Sequence, residues 1–222
     1  MSEKIKVEIF RDVSASSSLD TTIAHEGLEK IVAQINSNPF EVIRDTRKLR
    51  ITNDASSPVN FDGIHWPRLE ADYSIILTDK LILNKNSHNQ TYGAAVRYAD
   101  RNLINGIAMV RTDVTQPELV SAHEVGHLMG IQYPKDSERN SHCQSPYCVM
   151  HEYVMHKETN ERISKKGIPR ILERYGYIPA EYKTVEKSIA QRFCTPCQEQ
   201  LARKAFFSLK YLNGESISPS WL

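Results

Sequence analysis

The sequence has no apolar run approaching the roughly 20 residues that span a bilayer. Its opening stretch, MSEKIKVEIFRDV, has neither the basic start nor the apolar core of a secretion leader. Net charge is nearly absent too, with 28 Lys and Arg against 27 Asp and Glu, so no overall field draws the chain to nucleic acid or a lipid surface. From Lys157 to Leu222 there are 12 Lys and Arg against 7 Asp and Glu, which reads as solvated helix faces and not as a nucleic-acid surface. Cysteine is scarce, at four residues. Without a leader the expected compartment is the cytoplasm, where thiols stay reduced, so these four read as metal ligands or redox groups before disulfides. Repeats and low-complexity tracts are missing. What is present is the balance of a globular chain, 40% hydrophobic and 25% charged over 222 residues, enough for one domain of ordinary size.

The first half alternates strand-like and helical stretches. KVEIF (6–10) reads as a strand, and DTTIAHEGLEKIVAQIN (20–36) as an amphipathic helix with Asp20 as its N-cap and Ile23, Leu28, Ile31, Val32 and Ile35 near helical spacing. FEVIRDT and LRIT are further short strands, the segment 53–67 is a polar loop, and the consecutive apolar residues of YSIILTD (73–79) fit a strand buried on both faces. YGAAVRYADRNLINGIAMVRTD (92–113) reads as two strands turning at Asn105-Gly106. The first of them, with small residues Gly93, Ala94 and Ala95, is a candidate edge strand along which an extended peptide could lie. A helix follows, opened by a Thr115…Glu118 capping box and closed at Gly130 by a left-handed cap. The tail QEQLARKAFFSLKYL (198–212) is helical, with Leu201, Ala205, Leu209 and Leu212 on one face, and IPRILERYGY (168–177) is a further helical candidate.

The capped helix carries HEVGH. His123 and His127 are four residues apart, one turn on the same face, so two imidazoles can reach one tetrahedral zinc ion. Glu124 leaves the same turn and can accept the proton of a water that zinc acidifies for attack on a carbonyl. The bland alternative is a surface helix whose histidines bind nothing. A catalytic zinc needs one more protein ligand and an open position. Tyr133, Asp136, Glu138, His142, His151, His156, Glu158, Glu161 and Glu173 are all candidates downstream. In the same region lie Cys143-x4-Cys148 with Met150 two residues on, and Cys194-x2-Cys197 farther along. Two short-spaced pairs suit a structural zinc with an all-cysteine shell, although C-T-P-C at a helix start also resembles a thiol-redox pair.

HEVGH with Gly130, the joined His142-Cys143, C-x4-C-x-M and the later C-x-x-C together resemble the archaemetzincins, a family of metzincin-clan zinc metallopeptidases. The resemblance implies a zincin-like α/β fold, a catalytic zinc on His123, His127 and His142, Glu124 as general base, and Met150 as the methionine of a turn beneath the metal. It also implies a second, structural zinc on Cys143, Cys148, Cys194 and Cys197. Two spacings depart from the family. Eleven residues separate Gly130 from His142 where two are usual, so about nine, 133–141, look inserted; lengthening a polar loop costs little closure entropy. Between Met150 and Cys194 there are 43 residues, more than usual.

The expectation is therefore a single zincin-like catalytic domain over 1–222. Residues 1–131 would form a mixed twisted sheet with helices ending in the HExxH helix. Residues 132–222 would carry the third histidine, the methionine turn and the four-cysteine zinc site. Such a chain would be a monomeric, cytoplasmic zinc metallopeptidase with two Zn2+, acting on peptides or proteins. The competing class is a non-proteolytic scaffold that uses both metals structurally. His25, His65 and His88 carry no motif, and His151 and His156 read as satisfied or surface histidines.

Overall fold

The computed structural model describes residues 4–12, 21–49, 59–60, 71–80, 82–83, 90–91, 93–100, 103–112, 116–131, 142–143, 145, 147–151 and 192–215. The elements run β1 (Ile5–Asp12), α1 (Thr22–Val32), β2 (Phe40–Leu49), β3 (Val59–Asn60), β4 (Tyr73–Thr78), β5 (Ile82–Leu83), β6 (Gln90–Thr91), β7 (Gly93–Asp100), β8 (Leu103–Arg111), α2 (Pro117–Leu128) and α3 (Thr195–Leu212). Five strands make one mixed sheet in the order β2-β1-β4-β8-β7, and β3, β5 and β6 make a small second one. β1 pairs in parallel with β2 and β4, and β4 in parallel with β8, while β7 runs antiparallel to β8 at the edge.

The alternation of side chains sorts the sheet into two faces. Ile5, Val7 and Ile9 of β1, Tyr73, Ile75 and Leu77 of β4, and Ala108 and Val110 of β8 pack under α1 and α2. Phe10, Ile76, Ile107 and Met109 face the other way with Ile82. β4 lies in the middle of the sheet and is buried throughout, as its unbroken apolar run requires. Helix α1 buries Ala24, Leu28, Ile31 and Val32. Ile23, assigned above to that face, is instead 61% exposed, because Ala24 takes the inward position. Thr21 is the N-cap residue and makes no side-chain cap bond; Asp20 lies outside the described residues.

Two local expectations are corrected. Asn105-Gly106 is not a turn: the β7–β8 pairing runs through Tyr98↔Asn105 and Arg97↔Gly106 out to Asp100↔Leu103. Gly106 is needed for close packing, since a Cβ there would come within 2.6 Å of Leu128 Cδ2 and 3.2 Å of the Tyr73 ring. Of the capping box, Thr115 lies outside the described residues and Glu118 turns elsewhere. Gln116 is the N-cap of α2, without a side-chain cap bond, and Glu118 points at α1, where a Cβ on Gly27 would collide with its side chain. Burial there raises the Glu118 carboxyl above its ordinary pKa.

The end of α2 follows expectation. Gly130 has φ of 68°, and Ile131 N–H returns to Gly126 O at 3.1 Å, a Schellman-type closure. Helix α3 lies near β1 and sends Leu201 and Ala205 into the main core. Of the face assigned to it, Leu209 is only partly buried and Leu212 is exposed, while Ser208 is buried. Residues 168–177 lie outside the described residues.

Candidate active site

Helix α2 is buried on nearly all sides, from Leu119 through Gly126. That excludes the surface-helix reading of its histidines. One side packs on β7 and β8, and the other meets the short segment around residues 142–151. A helix enclosed in this way loses the polar stripe of a surface helix, so polar residues on it need an internal reason to be there.

His123 and His127 leave α2 one turn apart with ring centroids 4.7 Å from each other. His142 lies against both of them, with centroid distances of 5.1 Å to each ring. The Nε2 atoms of His123 and His127 are 3.0 Å apart. The Nδ1–H of His123 donates to the Val149 carbonyl at 2.7 Å, which leaves its Nε2 lone pair facing the cluster. Burial is the largest cause holding the imidazoles neutral: His127 is pushed down to about 4, and His123 well below its usual value, with the neighbouring rings adding to the effect. Three imidazoles whose ring nitrogens lie within 4.8 Å of one another suit a cation. A tetrahedral zinc with bonds of about 2.0–2.1 Å would set them about 3.3–3.4 Å apart, close to the spacing found.

Glu124 is buried beside this cluster, and burial pushes its carboxyl up to about 8. A dication nearby would act in the opposite direction. The carboxylate lies against Gly93 of the edge strand β7, where a Cβ would come within 2.8 Å of Glu124 Cδ. The close approach that Gly93 permits is thus that of Glu124. Beneath the helix, Gly126 leaves room for Met150: a Cβ there would collide with the methionine sulfur and lie 2.9 Å from its Cε. Met150 is fully buried in the main core.

A second cluster adjoins the first. Cys143 and Cys148 come from the same segment, and Cys194 and Cys197 from the start of α3. Their sulfurs are 3.6 Å apart for Cys143 and Cys194, 3.6 Å for Cys148 and Cys197, and 3.4 Å for Cys194 and Cys197. A disulfide would need about 2.05 Å, whereas four thiolates around zinc at about 2.3 Å would be about 3.8 Å apart. None of the four is in a disulfide. Hydrogen bonding with Cys148 lowers the Cys143 thiol, and with Cys143 raises that of Cys148, so these two thiols titrate as a pair. Within each of the two clusters every candidate ligand atom lies within 4.8 Å of the others.

Two contacts escaped the reading of the sequence, that of Gly126 with Met150 and that of the Val149 carbonyl with His123, and Gly93 was singled out for a different partner. His151, read as a satisfied or surface histidine, is buried, and its imidazole is pushed down to about 4, first by burial and then by His142. Only Gly126, a glycine in the middle of a helix, carried a local signal. His25 Nε2 lies 3.2 Å from Val42 O, away from the site. Tyr133, Asp136, Glu138, His156, Glu158, Glu161, Glu173, His65 and His88 lie outside the described residues.

Two histidines and a glutamate on one helix, with a third histidine returning to them, make an arrangement that could hold a metal ion. Among solved structures, the chain is similar to archaemetzincin from Methanopyrus kandleri, at 18% identity over 90% of this chain and 95% of that one, with a TM-score of 0.54, so the two share a fold. A zinc-dependent peptidase from Methanocorpusculum labreanum and archaemetzincin from Archaeoglobus fulgidus are each 16% identical, over 88% of this chain and 99% of theirs, at TM-scores of 0.47 and 0.46. No curated relative matches the sequence. The chain belongs to the Reprolysin (M12B) family of zinc metalloproteases, whose model matches residues 28–169. It is thus a hydrolase whose substrates are peptides or proteins. No helix among the described residues is long and apolar enough to cross a membrane.

Proposed function

We propose that the chain is an archaemetzincin-type peptidase in which His123, His127 and His142 hold the catalytic zinc and Glu124 is the general base. The observation that carries this reading is the convergence of three imidazoles, one buried and two partly buried, with a buried carboxylate on the helix that supplies two of them. When bound, zinc would supply Lewis acidity, polarising the scissile carbonyl and acidifying water. The chain's own residues do the rest. Glu124 takes a proton from the attacking water on a carboxylate oxygen and returns it to the departing amine nitrogen. Gly93 leaves the carboxylate room against β7, and the Val149 carbonyl fixes the His123 ring and its tautomer. No acyl-enzyme forms, because water is the nucleophile.

Cys143, Cys148, Cys194 and Cys197 hold a second, structural zinc in this reading, supported by sulfur spacings near those of a tetrahedron. Met150 is the methionine under the metal, supported by its contact with Gly126. The protein is further taken to be a monomer of the cytoplasm. The test is cleavage of a peptide library by the zinc-loaded protein and its Glu124→Gln variant, alongside metal analysis. Cleavage by the first and not the second, at equal zinc, is expected. Two zincs per chain without cleavage of any peptide would favour the non-proteolytic scaffold.

A further inference from the structure

His142 and Cys143 are adjacent, and the segment they open is closed into a ring. Cys143 N–H donates to Met150 O at 2.8 Å, and His151 N–H to Cys148 O at 2.9 Å. Ser145 N–H and Cys194 N–H point at the sulfurs of Cys143 and Cys148, at 3.4 and 3.3 Å. Val149 N–H donates to Arg192 O at 3.0 Å, so the ring is also tied to the chain entering α3. Helix α3 is in turn fixed by Leu201 and Ala205 in the main core. From this ring come three separate parts of the imidazole site: His142 itself, the Val149 carbonyl that orients His123, and the Met150 side chain against Gly126.

We propose that the four thiols are a positioning unit for the imidazole site, so that metal bound by Cys143, Cys148, Cys194 and Cys197 raises the affinity of His123, His127 and His142 for zinc. The inference rests on the reading that both clusters bind metal, and adds that the two bindings are coupled. The physical basis is preorganisation. With the thiols joined through one ion, the ring has one shape, and His142 and Val149 O are held where the other ligands need them. With the thiols apart, the last ligand must be ordered at the cost of zinc affinity. Coupling of this kind is reciprocal, so emptying the imidazole site must weaken the thiol site by the same factor, typically about 5- to 150-fold.

The experiment is competition of the folded two-zinc protein against a chromogenic zinc chelator, before and after the thiols are blocked with p-hydroxymercuribenzoate, with far-UV circular dichroism recorded throughout. A Cys194→Ser/Cys197→Ser variant is the first companion. His142→Ala, which leaves the thiols and the core intact, is the second. The expected result is a zinc Kd at the imidazole site at least about fivefold weaker when the thiol site is blocked or mutated. In His142→Ala a matching weakening is expected at the thiol site, read from the thiolate charge-transfer bands of the cobalt-loaded protein. Unchanged imidazole-site affinity after thiol blockade, or an unchanged thiol site in His142→Ala, would overturn the coupling alone. A chain that binds no second zinc even untreated would overturn the function proposed above along with it.

Discussion

The two clusters share one short segment, yet they are built differently. The imidazole cluster takes two donors from the buried helix α2 and one from His142, and the same helix carries a buried carboxylate, Glu124. The thiol cluster takes two donors from that loop and two from the start of α3, where the helix N-terminus favours thiolate. In the proposed reading three imidazole donors would leave a tetrahedral ion one open position, whereas four thiolates would close it. The difference teaches that donor number and the neighbouring group, more than metal identity, separate a place for chemistry from a place for holding the chain.

Substitutions sharpen that contrast in order of expected effect. Glu124→Gln should lower kcat by at least about 100-fold, the lower end for a general base, while mass spectrometry still counts two zincs per chain. Turnover near that of the parent would mean the proton goes elsewhere. His142→Ala should cost the imidazole site its zinc and leave the thiol-bound one, measurable as a fall from two equivalents to one. Loss of both, or of neither, would break the division of labour drawn here.

The two glycines that touch the site should separate catalysis from stability. Gly126→Ala pushes a Cβ into the Met150 thioether and should destabilise by about 1–3 kcal/mol, typical of an overpacked core, lowering Tm by about 2–12 °C. Gly93→Ala presses instead on the Glu124 carboxylate, so it should cut kcat more than it lowers Tm, seen by pairing kinetics with a thermal melt. The smallest effect belongs far away. The exposed Lys210–Glu215 ion pair at 2.9 Å should contribute no more than about 1 kcal/mol, and Lys210→Ala should leave peptide hydrolysis unchanged.

The local chemistry of the site was readable in one dimension because its spacing is helical. His123, Glu124 and His127 needed only the period of α2, and Gly130 only the left-handed turn that ends it. Likewise the unbroken apolar run of β4 announced a central strand. What failed depended on tertiary neighbours. Asn105-Gly106 has the composition of a turn, but Gly106 answers to Leu128 and Tyr73 across the sheet–helix interface. Glu118 has the spacing of a capping box but is turned toward α1 by Gly27. Gly93, Gly126 and the Val149 carbonyl serve the site through contacts between segments distant in sequence, for which no local pattern exists. The return of His142 across an eleven-residue gap came from resemblance to a family, not from spacing.

The claim most exposed to test is that one segment serves two metals of different coordination. Crystals of the zinc-loaded protein, measured at the zinc absorption edge, address it directly. The account predicts two anomalous peaks, one among the nitrogens of His123, His127 and His142 with Glu124 alongside, the other among the sulfurs of Cys143, Cys148, Cys194 and Cys197. A single peak, or one shared between His142 and the thiols, would contradict it.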